Sequence, residues 1–138
     1  MTARFTLEWY SEYMGKMRGK RAPPDPGVKV KAGFRFEPPS DPMNKTERRY
    51  ANEVLAPARH MGEILDYWYE SITFVLADRT TYTPDFLIIC PDRIRIVEIK
   101  GRLEDDASVK FKMARKMWPY FEWEMIRRKG GLWVQVRI

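Results

Sequence analysis

Three side chains near the middle of the chain, Asp85, Glu98 and Lys100, have the types and spacing for metal-assisted chemistry. They bracket two apolar runs, Phe86 to Ile89 and Ile94 to Val97, separated by Cys90, Pro91, Asp92 and Arg93. β-Branched and aromatic runs around a Pro/Asp turn predict a β-hairpin. A turn centred on Pro91-Asp92 places Asp85 directly opposite Glu98. Such cross-strand neighbours share a face, with Cβ atoms about 5 Å apart. Lys100 lies two residues past Glu98 and falls on the same face by the strand period. Two facing carboxylates repel. A hard divalent cation removes that cost, and Mg²⁺ is commonly held by one or two carboxylates with phosphate and water completing its shell. A neighbouring lysine is placed to meet a phosphate or the attacking hydroxide. That set suits metal-assisted phosphodiester cleavage.

The plainer alternative makes Asp85 and Glu98 edge charges paired with arginines, since strand charges are usually solvated or paired. Against it, both faces of the hairpin are apolar. Leu87, Ile89, Ile94 and Ile96 line one, and Phe86, Ile88, Val97 and Ile99 the other. A hairpin apolar on both faces belongs in a sheet interior. Acids and a lysine at the end of such a hairpin are costly without a purpose.

Pro84-Asp85 followed by Glu98-Ile99-Lys100 resembles the signature of the PD-(D/E)XK nucleases. The longer stretches Tyr82-Thr83-Pro84-Asp85-Phe86 and Val97-Glu98-Ile99-Lys100-Gly101 look like the small phage-encoded branch related to Holliday-junction resolvases of the endonuclease I type. The resemblance runs from about residue 43 to the end. It implies a restriction-endonuclease-like α/β core, a mixed central sheet flanked by helices in the order α-β-β-β-α-β. It also implies a Mg²⁺-dependent endodeoxyribonuclease, with Mn²⁺ able to substitute. Asp85 and Glu98 would be metal ligands, with the backbone carbonyl of Ile99 as a third, and Lys100 would be catalytic. A helical glutamate often precedes the first acid in that family, and Glu47 occupies the matching position.

The elements needed to position these groups are legible on either side. Asn44 and Glu47 are spaced as a near capping box, opening a helix over about 45–60. Capping alone accounts for Glu47, although Glu47, Ala51, Val54 and Ala58 also share one face that can pack on a sheet. Pro57 is expected to kink this helix or end it near Ala56. Tyr67 to Leu76 reads as one strand, with Glu70 within it taken as structural, and Asp78, Arg79 and Thr80 as the turn that follows. Three consecutive antiparallel strands are then expected.

Beyond Lys100, the acids Glu104 to Asp106 favour the start of a helix running from about Ala107 to Trp118 and stopped by Pro119. Val109, Met113 and Met117 with Ala114 and Trp118 form its expected apolar side. Lys110, Lys112, Arg115 and Lys116 lie mostly away from it, as a solvated face or a phosphate-contact face. Phe121 to Arg127 and Leu132 to Ile138 read as two strands joined through Gly130-Gly131. Trp123 and Trp133 are read as packing residues.

The first 42 residues differ in character from residues 43–138, the expected nuclease-like domain. Phe5, Leu7, Trp9, Tyr10, Tyr13, Met14 and Met17 allow a short amphipathic helix. A proline-rich basic stretch follows, with Lys29 and Lys31 as candidate phosphate contacts and a short strand within Val28 to Phe36. An uncommitted surface linker explains that stretch equally well.

Composition narrows the chemistry further. The 138 residues suit one domain, and 25 Lys and Arg against 19 Asp and Glu give a net charge of +6. That balance favours a polyanionic partner such as DNA. One histidine and one cysteine exclude a Cys/His zinc centre and an intramolecular disulfide. His60 is expected at a helix C-terminus as a dipole partner, and Cys90 as a small strand-end residue. No apolar run reaches about 18 residues, so no span is expected. With no apolar leader at the N-terminus, a cytoplasmic setting is expected.

The resemblance implies cleavage of branched DNA, where the residues alone imply a nuclease; two coordinated cuts need two sites and one chain offers one, so a homodimer is expected. Sequence-specific restriction is the enzymatic rival. A non-catalytic DNA-binding module on the same fold is another alternative, and an assembly or host-interaction factor acting through the apolar N-terminus is a third.

Overall fold

The computed structural model describes residues 33–39, 42–101 and 105–138. The amphipathic segment expected near the N-terminus, Lys29, Lys31 and Glu104 lie outside the described residues. The elements run β1 (Gly33–Phe36), α1 (Lys45–Tyr50), a π-helical turn (Ala51–Leu55), α2 (Ala56–His60), β2 (Asp66–Tyr69), β3 (Ile72–Ala77), β4 (Thr80–Tyr82), β5 (Phe86–Ile89), β6 (Ile94–Ile99), α3 (Asp105–Met117), β7 (Glu122–Lys129) and β8 (Leu132–Val136). This is an α/β fold with two sheets. A five-stranded mixed sheet has the order β2-β5-β6-β7-β8, and a three-stranded antiparallel sheet the order β1-β3-β4.

The central hairpin has the expected register. Phe86 pairs with Val97, Leu87 with Ile96, Ile88 with Arg95 and Ile89 with Ile94. Continued one step past the start of β5, this register sets Asp85 opposite Glu98. At the other end the Cys90 N–H donates to the Arg93 carbonyl at 2.9 Å and closes the turn. β6 then pairs in parallel with β7 across α3, a crossover that a helix is long enough to make. β7 and β8 form a hairpin turned by Gly130 and Gly131, at φ of 56° and 78°. Two successive left-handed residues make the tight turn that glycine permits.

Helix α1 starts from a complete capping box. The Asn44 side chain accepts from the Glu47 N–H at 2.9 Å, and the Glu47 carboxylate accepts from the Asn44 N–H at 2.8 Å. The helical path reaches His60 as expected, and of the two effects foreseen for Pro57, an end near Ala56 does not occur. In a regular α-helix the proline ring would collide with the carbonyl four residues back. The π turn before it, with the Ala56 N–H bonded to the Ala51 carbonyl, is wider and relieves that clash. Pro57 then stands in the first turn of α2, where its missing N–H is not needed.

The stretch read as one strand over 67–76 is two strands in different sheets. β2 pairs with β5, whereas β3 pairs with β1 and β4. The break falls at Glu70, whose φ of 42° is left-handed and cannot continue a strand. The order expected after the first helix is therefore interrupted by the β3–β4 hairpin. The short strand expected within Val28 to Phe36 is present as β1, which pairs antiparallel with β3.

Two apolar layers hold the sheets. Phe86, Ile88, Val97, Ile99 and Ile126 pack under Tyr50, Ala51 and Leu55 of the first helical segment. Leu87, Ile89, Ile96 and Met125 on the opposite face pack with Ile72, Phe74, Leu76 and Tyr82 of the second sheet and with Phe111, Ala114 and Trp118 at α3. The two faces of the hairpin divide as the sequence alternation required. Each such fully buried apolar side chain contributes about 1.5–3 kcal/mol over an exposed one. In α3 the buried stripe differs in part from expectation. Ala114 and Trp118 are buried as expected and are joined by Phe111, while Val109 and Met113 are exposed. The larger aromatic rings win the core position: Phe111 stacks edge-on to Trp123, and Trp118 lies 4.8 Å from Phe74.

Candidate active site

Asp85 is delivered by the buried Pro84 immediately before β5, and Glu98 by the last turn of the ladder in β6. Asp85 is buried, and its Oδ2 accepts the Ile99 backbone N–H at 2.7 Å. Glu98 accepts the Tyr82 hydroxyl at 2.7 Å, and the nearby backbone N–H of Asp85 favours its charged form. The two acids thus lie together at one end of the sheet.

Glu47 reaches the same place from α1. It is 8% exposed, as is Asp85, so the carboxylate that caps this exposed helix start is itself buried. Its carboxyl lies near enough to Asp85 to help raise that acid. Capping and site membership therefore coexist in one side chain. The Tyr69 hydroxyl donates to Glu47 Oε2 at 2.8 Å and lies 3.1 Å from Glu70 Oε1. Glu70, taken from the sequence as structural, belongs to this group. Its N–H donates to the Asp85 carbonyl, and its charge acts on Glu98.

The electrostatics follow from that crowding. Burial pushes the Asp85 carboxyl up to about 9, reinforced by the charges of Glu98 and Glu47 and opposed by the Ile99 N–H. Burial likewise pushes Glu98 up to about 7, with Glu47 and Glu70 adding to it and the Tyr82 hydroxyl and Asp85 N–H opposing. Burial and the adjacent acids also raise both tyrosine hydroxyls, Tyr82 and Tyr69. Near neutral pH the pair keeps protons that isolated carboxyls would release.

Lys100 follows β6 directly and is half-buried, with its N–H bonded to the Ile126 carbonyl at 2.7 Å. It lines a cleft of about 120 Å³ with Glu98, Ile99, Gly101, Ala107, Ser108 and Met125. Asp85 does not line that cleft. A larger hollow of about 450 Å³ lies at the turn end of the hairpin, beside Cys90, Pro91, Asp92 and Arg93. Much of its charged rim is paired internally: Arg93 with Asp92 and Glu122, Arg95 with Glu124, and Glu53 with Arg128. Burial raises the Cys90 thiol there, which disfavours the thiolate a nucleophile needs.

The donor set fits a hard cation in part. Two crowded carboxyls, one buried and one half-buried, both held above their ordinary range, are what such an ion stabilises. No group of three or more His, Cys, Asp and Glu side chains is gathered at metal-holding distances among the described residues. Asp85 and Glu98 would therefore supply two side-chain ligands, with backbone oxygen, water or phosphate completing the shell.

The basic residues divide. Lys112 is exposed on α3. Lys110 on the same helix is half-buried and engaged in interactions of its own. Arg115 donates to the Ile138 carbonyl at 3.0 Å and stacks on Phe111, a packing role. His60 is exposed in the last turn of α2, away from the acids in the described contacts. No helix among the described residues is long and apolar enough to cross a membrane.

Tyr69, Glu70 and Tyr82 were missed as members of the site. Only Tyr82 carried a signal, through its place three residues before Asp85 in the motif-like stretch. No protein-family model, curated protein or solved structure matches the chain.

Proposed function

We propose that this chain is a metal-dependent DNA endonuclease with a PD-(D/E)XK-like core. The observation that supports it best is the hairpin register, which, continued one step past β5, sets buried Asp85 opposite half-buried Glu98, with Lys100 just past the end of β6. The parallel β6–α3–β7 crossover beside that pair is compatible with such a core.

Asp85 and Glu98 would hold Mg²⁺ or Mn²⁺, with the Ile99 carbonyl as a further ligand. When bound, the ion would supply positive charge to the scissile phosphate and acidify the attacking water. Lys100 orients that water and meets the charge that grows on the phosphoryl oxygens. Glu47, held by Asn44 and Tyr69, orients water from the helix side. Water adds to phosphorus, and one ester oxygen leaves carrying a proton. Lys112 and the net charge of +6 favour contact with the DNA backbone.

Within this class, branched DNA cut by a homodimer of the phage junction-resolving kind is the favoured substrate and assembly, and sequence-specific restriction is the rival. Side-by-side incubation of four-way, flap, single-stranded and linear duplex DNA, with and without Mg²⁺, tests it. The expected result is Mg²⁺-dependent cutting with preference for the four-way substrate. Equal cutting of linear duplex at one sequence favours the rival. No cutting of any substrate contradicts the proposal and leaves a DNA-binding module on this fold.

A further inference from the structure

We propose that Tyr82 is a positioning residue for the acid pair, its hydroxyl fixing Glu98 in the orientation that faces a cation together with Asp85. This rests on the function proposed above.

Tyr82 belongs to β4, in the three-stranded sheet, whereas Glu98 belongs to β6 in the five-stranded sheet. The hydroxyl crosses between the two sheets and donates to Glu98 Oε2 at 2.7 Å. Its origin is fixed. Tyr82 is opposite Phe74 in the β3–β4 ladder, its ring lies edge-on to Phe111 at 6.5 Å, and it is buried in the core. A buried tyrosine needs an acceptor, and many find a backbone carbonyl. Here the acceptor is the acid of the site itself.

Glutamate carries several free rotors. Among the described residues the Tyr82 hydroxyl is the hydrogen-bond donor that holds the Glu98 side chain, and without it Glu98 would keep the influence of the nearby Asp85 N–H against the charges of Glu47 and Glu70. Partners that hydrogen-bond a ligating carboxylate set its direction, and losing one typically weakens metal affinity about 10–100-fold. The second sheet therefore has a function besides core packing: it carries the group that aims one ligand.

The test is calorimetric titration of Mg²⁺ and of Ca²⁺ into the wild-type chain, Tyr82→Phe and Phe111→Leu, with a thermal melt of each. Phe111→Leu loosens the packing around the ring and keeps the hydroxyl. The expected result is affinity about 10–100-fold weaker in Tyr82→Phe. Phe111→Leu should melt earlier and keep wild-type affinity. Where cleavage is followed, Tyr82→Phe should need more metal for half-maximal rate and regain most of the rate when saturated. Equal affinity in Tyr82→Phe and wild type overturns the proposal, as does an equal loss in Phe111→Leu. Metal uptake by a wild-type chain that cuts no DNA removes the nuclease activity alone, and the affinity comparison still decides the role of Tyr82. A wild-type chain that takes up neither ion overturns both.

Discussion

Asp85 accepts the backbone N–H of Ile99, so the first acid of the hairpin is anchored to the strand that carries the second. That 2.7 Å bond opposes the repulsion between Asp85 and Glu98 without removing it. The site is held together by backbone and tyrosine donors at one end of a largely apolar core. Its cost and its chemistry have the same origin.

The first consequence is a pH dependence of stability. Folding raises the carboxyl of Asp85 from an ordinary 3.8 to about 9 and that of Glu98 from 4.5 to about 7. An acid that holds its proton more tightly when folded stabilises the fold fully below its unfolded value. That contribution is lost as pH rises through the folded values. The metal-free protein should therefore melt at progressively lower temperature between about pH 5 and about pH 9. Mg²⁺ added near the upper end should restore part of the loss, because a ligand that binds only the folded state stabilises it. Differential scanning fluorimetry across that range, with and without metal, reads both effects. A flat profile would count against a crowded acid pair.

Asp85→Asn keeps the shape of the side chain and removes one charge. In the absence of metal at alkaline pH it should raise the melting temperature, by about 3–5 °C for each kcal/mol of repulsion relieved. The metal-induced shift should vanish in the same variant. Greater stability with loss of activity is the pattern of a site strained for function. A variant that melts earlier than wild type under these conditions would place Asp85 in a purely structural role.

Lys112 and Arg115 should behave differently although both are basic residues of α3. Lys112 is exposed, so Lys112→Ala should weaken binding to all DNA sequences alike and lower the salt slope by about 1. Arg115 is engaged with Ile138 and Phe111, so Arg115→Ala should cost stability first. Binding isotherms over a salt series, paired with melts, separate the two. A matched loss of salt slope in both variants would make Arg115 a phosphate contact instead.

Gly131, at φ of 78°, tests the β7–β8 turn independently of the site. Alanine has open space there, so only backbone strain penalises it. Gly131→Ala should lose about 1–2 kcal/mol by urea unfolding and keep its activity per folded molecule. No loss would mean that the turn is not left-handed.

The sequence made the hairpin register, the Asn44–Glu47 capping box and the Gly130–Gly131 turn legible for a common reason. Each is specified by a few residues close in the chain, whose types admit one local geometry. The break between β2 and β3 was not legible. Glu70 has no intrinsic preference for a left-handed backbone, and the aromatic and β-branched residues around it read as one continuous strand. The exchange of strands between sheets is imposed by packing. The π turn escaped for a related reason, since Pro57 signals a disturbed helix and does not say how the chain accommodates it. In α3, helical spacing allowed two apolar stripes, and only the aromatic partners Phe74 and Trp123 from distant strands choose between them. Tyr69 and Tyr82 read as strand residues by type, and only the fold turns their hydroxyls toward acids.

The most direct measurement is the cleavage rate of a labelled four-way DNA junction in Mg²⁺ by wild type, Asp85→Ala and Lys100→Ala, each verified as folded by circular dichroism. The account predicts Mg²⁺-dependent cutting by wild type, none detectable with Asp85→Ala, and a rate about 10²–10³-fold lower with Lys100→Ala. Undiminished metal-dependent cutting by both folded variants would contradict it.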